Sequence, residues 1–153
     1  MIIELLNKDN LRQCVTFEKE ARDTEPGVLY GNFEEENFYE KTLSSLNNIE
    51  FQNARTLLCL EDNKAIGRLD FCILSSYAFS GSRQVYVDWI YVLKEYRHKK
   101  IAQCLFKEME KYLKNVGIDF YFLTVAENEE AQKFYHNFEN ANIKKQEILQ
   151  KEI

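Results

Sequence analysis

Arg97, Lys99 and Lys100 stand together at the mouth of a helix, in a chain whose formal net charge is −5. They lie in the stretch VDWIYVLKEYRHKKIAQCLFKEMEKYLKNVG, residues 87–117, where an apolar strand runs into a short turn and a helix begins at once. A strand that feeds a helix through a short turn leaves the first backbone N–H groups of the helix without partners, at the positive end of its dipole. Such a place binds phosphate, and three cationic side chains add full charges to it. A cluster of this kind also reads as ordinary solvated surface. The opposite charge is concentrated elsewhere: residues 18–36 carry Glu18, Glu20, Asp23, Glu25, Glu34, Glu35 and Glu36 against Lys19 and Arg22. An acidic lobe and a basic turn suit two ligands of opposite sign.

The elements that must position these groups follow from periodicity. IIELL predicts a strand over 2–6, and the segment from Asp9 to Arg22 a helix with Asp9 as its cap. A loop over 23–32 holds two glycines and the single proline, Pro26. A second helix over 33–46 carries acids in its first turn, where the dipole favours them. Residues 54–74 read as a hairpin turning at Asp62-Asn63. Residues 83–93, rich in β-branched and aromatic types, form a strong strand. The helix over 100–116 has Ile101, Leu105, Met109, Tyr112 and Val116 as its buried stripe and Gly117 beyond its end. IDFYFLTV, 118–125, is apolar at nearly every position and predicts a central parallel strand covered on both faces. A helix over 128–138 and a last strand within 143–152 complete the order β-α-α-β-β-β-α-β-α-β. The strand, helix and strand over 84–125 make one right-handed βαβ unit.

Composition bounds the rest. With 153 residues, 45% of them apolar, the chain is expected to be one domain, 1–153, with a substantial core. No apolar run reaches the ~20 residues of a membrane span, and the start lacks the features of a secretory signal, so no membrane association and a cytoplasmic location are expected. A net negative charge argues against nucleic acid as a partner. Cys14, Cys59, Cys72 and Cys104 form no CxxC pair, and two histidines are too few and too distant to join them, so neither a metal nor a disulfide framework is expected.

Two patterns in the second half together resemble the GNAT superfamily of acetyl-CoA-dependent N-acetyltransferases. Its Arg/Gln-x-x-Gly-x-Gly/Ala turn falls on Arg97, His98, Lys99, Lys100, Ile101 and Ala102. Its Asn-x-x-Ala-x-x-Phe-Tyr pattern is matched in full by Asn128, Ala131, Phe134 and Tyr135. The resemblance covers about residues 85–138. It departs at Lys100, which replaces the first glycine of the turn, and at Glu139-Asn140, which stand where the family has Gly-Phe. If Lys100 takes helical dihedrals, its N–H still points inward and its amine can reach a phosphate.

The resemblance implies an α/β (α+β) fold: a mixed, mostly antiparallel sheet with one parallel βαβ unit, its strands splayed around the cofactor, flanked by about four helices. It implies that acetyl-CoA lies where strand 84–93 and strand 118–125 part. Ile90 and Val92, with Tyr91 between them, meet the pantetheine arm. The turn 97–102 holds the pyrophosphate, and Asn128, with Ala131 in the same motif, meets the arm from the other side. Transfer to an amine needs a base, a donor for the developing oxyanion and a proton for the departing thiolate. Asp88 is the candidate base, through a water; it reads alternatively as a strand carboxylate paired with a residue such as Arg68. Tyr135 is the candidate acid, or else a packed aromatic. The amine acceptor is expected on the side of the loop between the first two helices, with Glu25, Tyr30 and Asp88 as its contacts. Carboxylates and aromatic faces there favour a small cationic amine. No cysteine suggests an acetyl-enzyme, so direct attack in a ternary complex is expected. The competing reading is a non-catalytic CoA-binding regulatory module of the same fold. Dimerisation through the C-terminal strand is left open.

Overall fold

The computed structural model describes residues 1–27, 29, 31–76, 82–145, 147 and 149–152. It contains two compact units, Met1–Leu123 and Thr124–Ile153.

The first unit is built on five strands in sequence order: β1 (Ile2–Leu5), β2 (Ala54–Glu61), β3 (Lys64–Ser75), β4 (Arg83–Val92) and β5 (Tyr121–Leu123). Neighbours are antiparallel except β4 and β5, which are parallel. The crossover between them is helix α3 (Ile101–Asn115); α1 (Leu11–Thr24) and α2 (Glu35–Leu46) precede β2. The β2–β3 hairpin turns at Asp62-Asn63 as the sequence predicts, with φ of 49° and 64°. Positive φ at both central residues gives the turn whose twist matches that of the strands it joins.

The start of α1 corrects one expectation. The residue flanking the helix is Asn10, not Asp9, and it makes no side-chain cap. Its Oδ1 accepts from the Asn7 N–H at 2.8 Å, and its Nδ2 donates to the Leu5 carbonyl at 3.0 Å. The short polar side chain stitches β1 to the helix instead of capping it. Helix α1 buries Leu11, Cys14, Val15, Phe17 and Ala21 against Leu58, Leu60 and Tyr91 of the sheet, and Tyr39 and Leu43 of α2 pack on the same cluster.

On the other face, α3 buries Ile101, Leu105, Phe106, Met109 and Leu113. The predicted stripe drifts after Met109: Leu113 takes the buried place expected of Tyr112, whose hydroxyl instead accepts from Arg55 Nε at 3.1 Å. The first turn of α3 lies hard against β3. A Cβ placed on Gly67 would stand 2.9 Å from Ile101 Cγ2 and 3.2 Å from Leu105 Cδ1. Glycine is needed there for close approach, not for an unusual backbone angle.

Two further expectations are corrected. β5 is shorter than 118–125 and, among the described residues, is the last strand of the sheet; Phe120 and Phe122 are 54% and 40% exposed. Its continuous apolar run is therefore not the mark of a central strand. The described residues within 143–152 form no strand. That tail has apolar residues too sparse to make one covered face. The second unit contains α4 (Glu129–His136), whose Phe134 and Tyr135 pack ring to ring with Phe138 just beyond the helix, centroids 5.1–5.7 Å apart. Among the described residues no helix is long and apolar enough to cross a membrane.

Candidate active site

Strands β4 and β5 are paired only from Val85↔Tyr121 to Val87↔Leu123, yet β4 continues to Val92. Immediately beyond the last pair, β4 bulges: Phe71 faces Val87 and Asp70 faces Trp89, so Asp88 is the extra residue. A bulge resets the alternation of the strand. Before it, the Val85 N–H donates to the Phe120 carbonyl, so odd-numbered backbone groups face β5. After it, the Leu93 N–H donates to the Ile66 carbonyl, so odd-numbered groups face β3. The peptide groups of Ile90 and Val92 accordingly point away from β3, along an edge where no described strand pairs with them. Among these groups the Val92 carbonyl accepts from Arg97 Nε at 3.2 Å.

The bulge also presents Asp88. This residue is exposed, and among the described residues its carboxylate has no ion-pair or hydrogen-bond partner. Arg68, its expected partner, is taken elsewhere: it is bound to Asp70 at 2.8 Å and to the buried Glu18 at 2.9 Å. Tyr86 and Trp89 share a sheet face with Cys72 and Asp70, which stand opposite them in the register. The Cys72 thiol is pushed up, first by burial and then by the charges of Asp88 and Asp70. The sequence did not show that Tyr86 and Trp89 share this face. VYVDWIYV is apolar almost throughout, so its sequence has no alternation from which the bulge, or the face of each ring, can be read.

The turn after β4 begins with a 3₁₀ turn, Lys94–Tyr96, and an extended Arg97. His98 and Lys100 then both take left-handed backbone angles, with φ of 61° and 64°. Lys100 therefore does not have helical dihedrals; it adopts the conformation in which glycine is the easy residue. Its carbonyl accepts the first bond of α3, from the Cys104 N–H at 3.0 Å, and no side chain caps the helix. The earlier N–H groups of α3, including those of Ile101 and Ala102, therefore remain as donors at the helix start. Lys99 and Lys100 are exposed beside them, with the Lys99 ammonium 4.8 Å from the centre of the Tyr96 ring.

Arg97 is engaged by the loop that follows α1. Both of its terminal nitrogens bond to the Glu25 carboxylate, and the Tyr91 hydroxyl donates to the same carboxylate. These bonds, Tyr91 first, hold the Glu25 carboxyl below its usual range. Tyr91 is pushed up to about 12 by burial and by its bond to Glu25. Glu25, expected to meet an amine, thus has both oxygens occupied. Tyr30 lies outside the described residues. The acids of residues 18–36 are largely spent within the fold: Glu20 on Lys64, Glu35 on Lys19, Glu36 on Arg12, and Glu34 as the cap of α2.

In the second unit Asn128 is the cap of α4, its side chain accepting from the Ala131 N–H at 2.8 Å. The Asn-x-x-Ala spacing is that of a cap and the third residue of its helix. Tyr135 is pushed up to about 12 by burial. The described residues hold no cluster fit for a metal ion.

Comparison with known proteins agrees with this geometry. Residues 16–139 match the acetyltransferase (GNAT) family. Among solved structures, an aminoglycoside acetyltransferase from an uncultured soil metagenomic sample superposes with a TM-score of 0.80 at 16% identity, covering 99% of this chain and 95% of that one. A ribosomal-protein-alanine N-acetyltransferase from Brucella melitensis gives 0.74 at 19% identity, over 97% and 98% of the two chains. An aminoglycoside N-acetyltransferase in complex with CoA gives 0.69 at 19%, over 99% and 100%. At these identities the likeness is one of fold. No curated protein sequence matches the chain.

Proposed function

Since the chain belongs to the acetyltransferase (GNAT) family, acyltransferases that use acetyl-CoA, we propose that it acetylates a primary amine, small and cationic, by direct attack in a ternary complex. The match spans both compact units, which supports reading 1–153 as one N-acetyltransferase domain. The observation that carries the proposal is the parting of β4 from β5 beyond Val87, next to an uncapped helix start with two exposed lysines. An extended, amide-bearing arm pairs with the open edge at Ile90 and Val92 as a strand would. The pyrophosphate beyond it meets the N–H groups of the 97–102 turn and the charges of Lys99 and Lys100.

Acetyl-CoA, when bound, supplies the thioester carbonyl. The chain's residues do the rest. Asp88 takes a proton from the ammonium through a water, freeing the nitrogen lone pair. The Ile90 N–H, aimed at the open edge, donates to the developing oxyanion. Tyr135 gives its proton to the departing sulfur; its motif match and a phenol that stays protonated at neutral pH support that role. A cationic acceptor is favoured by Asp88, a carboxylate without a cation of its own among the described residues, and by the ring of Tyr86 on the neighbouring face. The relatives that act on aminoglycosides and on a ribosomal-protein alanine mark the range of amines to try.

The test is thermal denaturation with acetyl-CoA, followed by thioester consumption with a panel of amines. Acetyl-CoA at ~100 times its dissociation constant should stabilise by about 2.7 kcal/mol. No shift at millimolar acetyl-CoA overturns the cofactor assignment. A preferred acceptor that is anionic overturns the assignment of a cationic one.

A further inference from the structure

We propose that Glu25 is a positioning residue for the phosphate-binding turn: it holds Arg97 and Tyr91 so that the turn and the open edge of β4 are set before cofactor arrives. The proposal rests on the reading of that turn as the acetyl-CoA site. Glu25 closes α1, its own N–H donating to the Ala21 carbonyl at 3.0 Å, so its backbone is fixed by the helix. From there the carboxylate reaches the two groups that bracket the parted strand. The Tyr91 hydroxyl lies on the strand itself; Arg97 lies at the head of the turn, its Nε on the Val92 carbonyl. One carboxylate ties the end of α1 to a strand and a turn 66 and 72 residues further along the chain.

The turn needs such a tie. His98 and Lys100 both hold left-handed angles without glycine. Residues in sparsely populated regions persist only where their surroundings over-determine them. Arg97, clamped between Glu25 and Val92, fixes the chain entering His98. Three of the five N–H groups of the guanidinium go to these protein groups, which ties the backbone of the turn. The far end of the same loop is held separately, by Arg22 Nη1 on the Gly31 carbonyl at 3.0 Å. Loss of Glu25 therefore loosens the turn without releasing the whole loop.

Trp89, the chain's only tryptophan, reports on the arrangement without ligand. Its ring is stacked on Tyr91, with planes 4° apart and centroids 5.6 Å apart. The experiment compares Glu25→Gln, Tyr91→Phe and the double variant with wild type, in steady-state kinetics and in Trp89 emission of the ligand-free protein. Glu25→Gln should raise KM for acetyl-CoA about 5- to 20-fold, the loss of a partly exposed charge-assisted bond. KM for the amine, and kcat at saturating acetyl-CoA, should stay within about twofold. A rise in amine KM with unchanged acetyl-CoA KM overturns the proposal and makes Glu25 an acceptor contact. A lower melting temperature with neither KM changed overturns it in favour of a purely structural bond. In the ligand-free protein each single variant should alter Trp89 emission and the double no further; unchanged or additive effects overturn the tie. That emission result stands even if wild type binds no acetyl-CoA, an outcome that would remove the cofactor assignment instead.

Discussion

Lys100→Gly should stabilise the protein. Lys100 sits at φ 64°, ψ 14°. An L-residue in that region costs roughly 1–2 kcal/mol relative to the right-handed one, a cost glycine does not bear. Glycine also gives the unfolded chain more freedom, which takes back about 0.4–1 kcal/mol. The net is about 0.5–1 kcal/mol in favour of glycine, or roughly 1–4 °C in melting temperature for a chain of this size. Lys100→Ala is the control, because it removes the ammonium and keeps the strained backbone. It should melt close to wild type, since an exposed side chain that makes no cap is worth less than about 0.5 kcal/mol. Thermal denaturation of the three proteins without ligand is the assay. If Lys100→Gly melts no higher than Lys100→Ala, the left-handed angle carries no strain and the reasoning fails. In acetyl-CoA titrations Lys100→Ala should bind about 2- to 5-fold more weakly, the scale of one exposed charge.

Gly67→Ala should destabilise by about 1–3 kcal/mol, because the new methyl meets Ile101 Cγ2 at 2.9 Å and must displace the first turn of α3. It should also raise KM for acetyl-CoA; an unchanged melting temperature would show that Ile101 simply repacks. Tyr135→Phe should lower turnover about 10²–10⁴-fold if proton delivery to sulfur limits the step, with little change in cofactor affinity. Asp88→Asn should lose activity that returns as pH rises toward the pKa of the amine, because more acceptor arrives deprotonated, whereas Tyr135→Phe should show no such rescue. Wild-type turnover in Tyr135→Phe, or an unaltered pH profile in Asp88→Asn, removes the role assigned to that residue.

The parts of the fold legible in the sequence are those with one dominant periodicity. Helix α3, the Asp62-Asn63 hairpin and the βαβ crossover were all readable because burial on one face, or one turn chemistry, decides them. The drift of the α3 stripe from Tyr112 to Leu113 was not, because both are apolar and only the angle of the sheet beneath chooses between them. The basic turn could be located but not its backbone. Lysine and histidine do not announce left-handed angles; those are imposed by Arg97, Glu25 and the packing of Ile101 on Gly67. The acidic lobe misled for a related reason. A count of Glu and Asp over 18–36 cannot show that most of them are already matched with Lys19, Lys64, Arg12, Arg22 and Arg97 across the fold. Asp88, a single charge in an apolar strand, is by contrast exposed and unmatched among the described residues.

That isolation of Asp88 has a consequence for solubility. The run VYVDWIYVL, 85–93, has no proline and no charge but this one. Beyond Val87 its outer edge has no described strand beside it. Such a segment, β-prone and open along one edge, is a template on which a second extended chain can add. Asp88 stands in the middle of the run, where it acts as a gatekeeper. Its charge and the bulge it occupies break the flat, apolar register that stacked copies would need. Substitutions that neutralise it for kinetic purposes therefore also remove this guard. Asp88→Asn preparations should be handled dilute and with acetyl-CoA present, so that the open edge is covered.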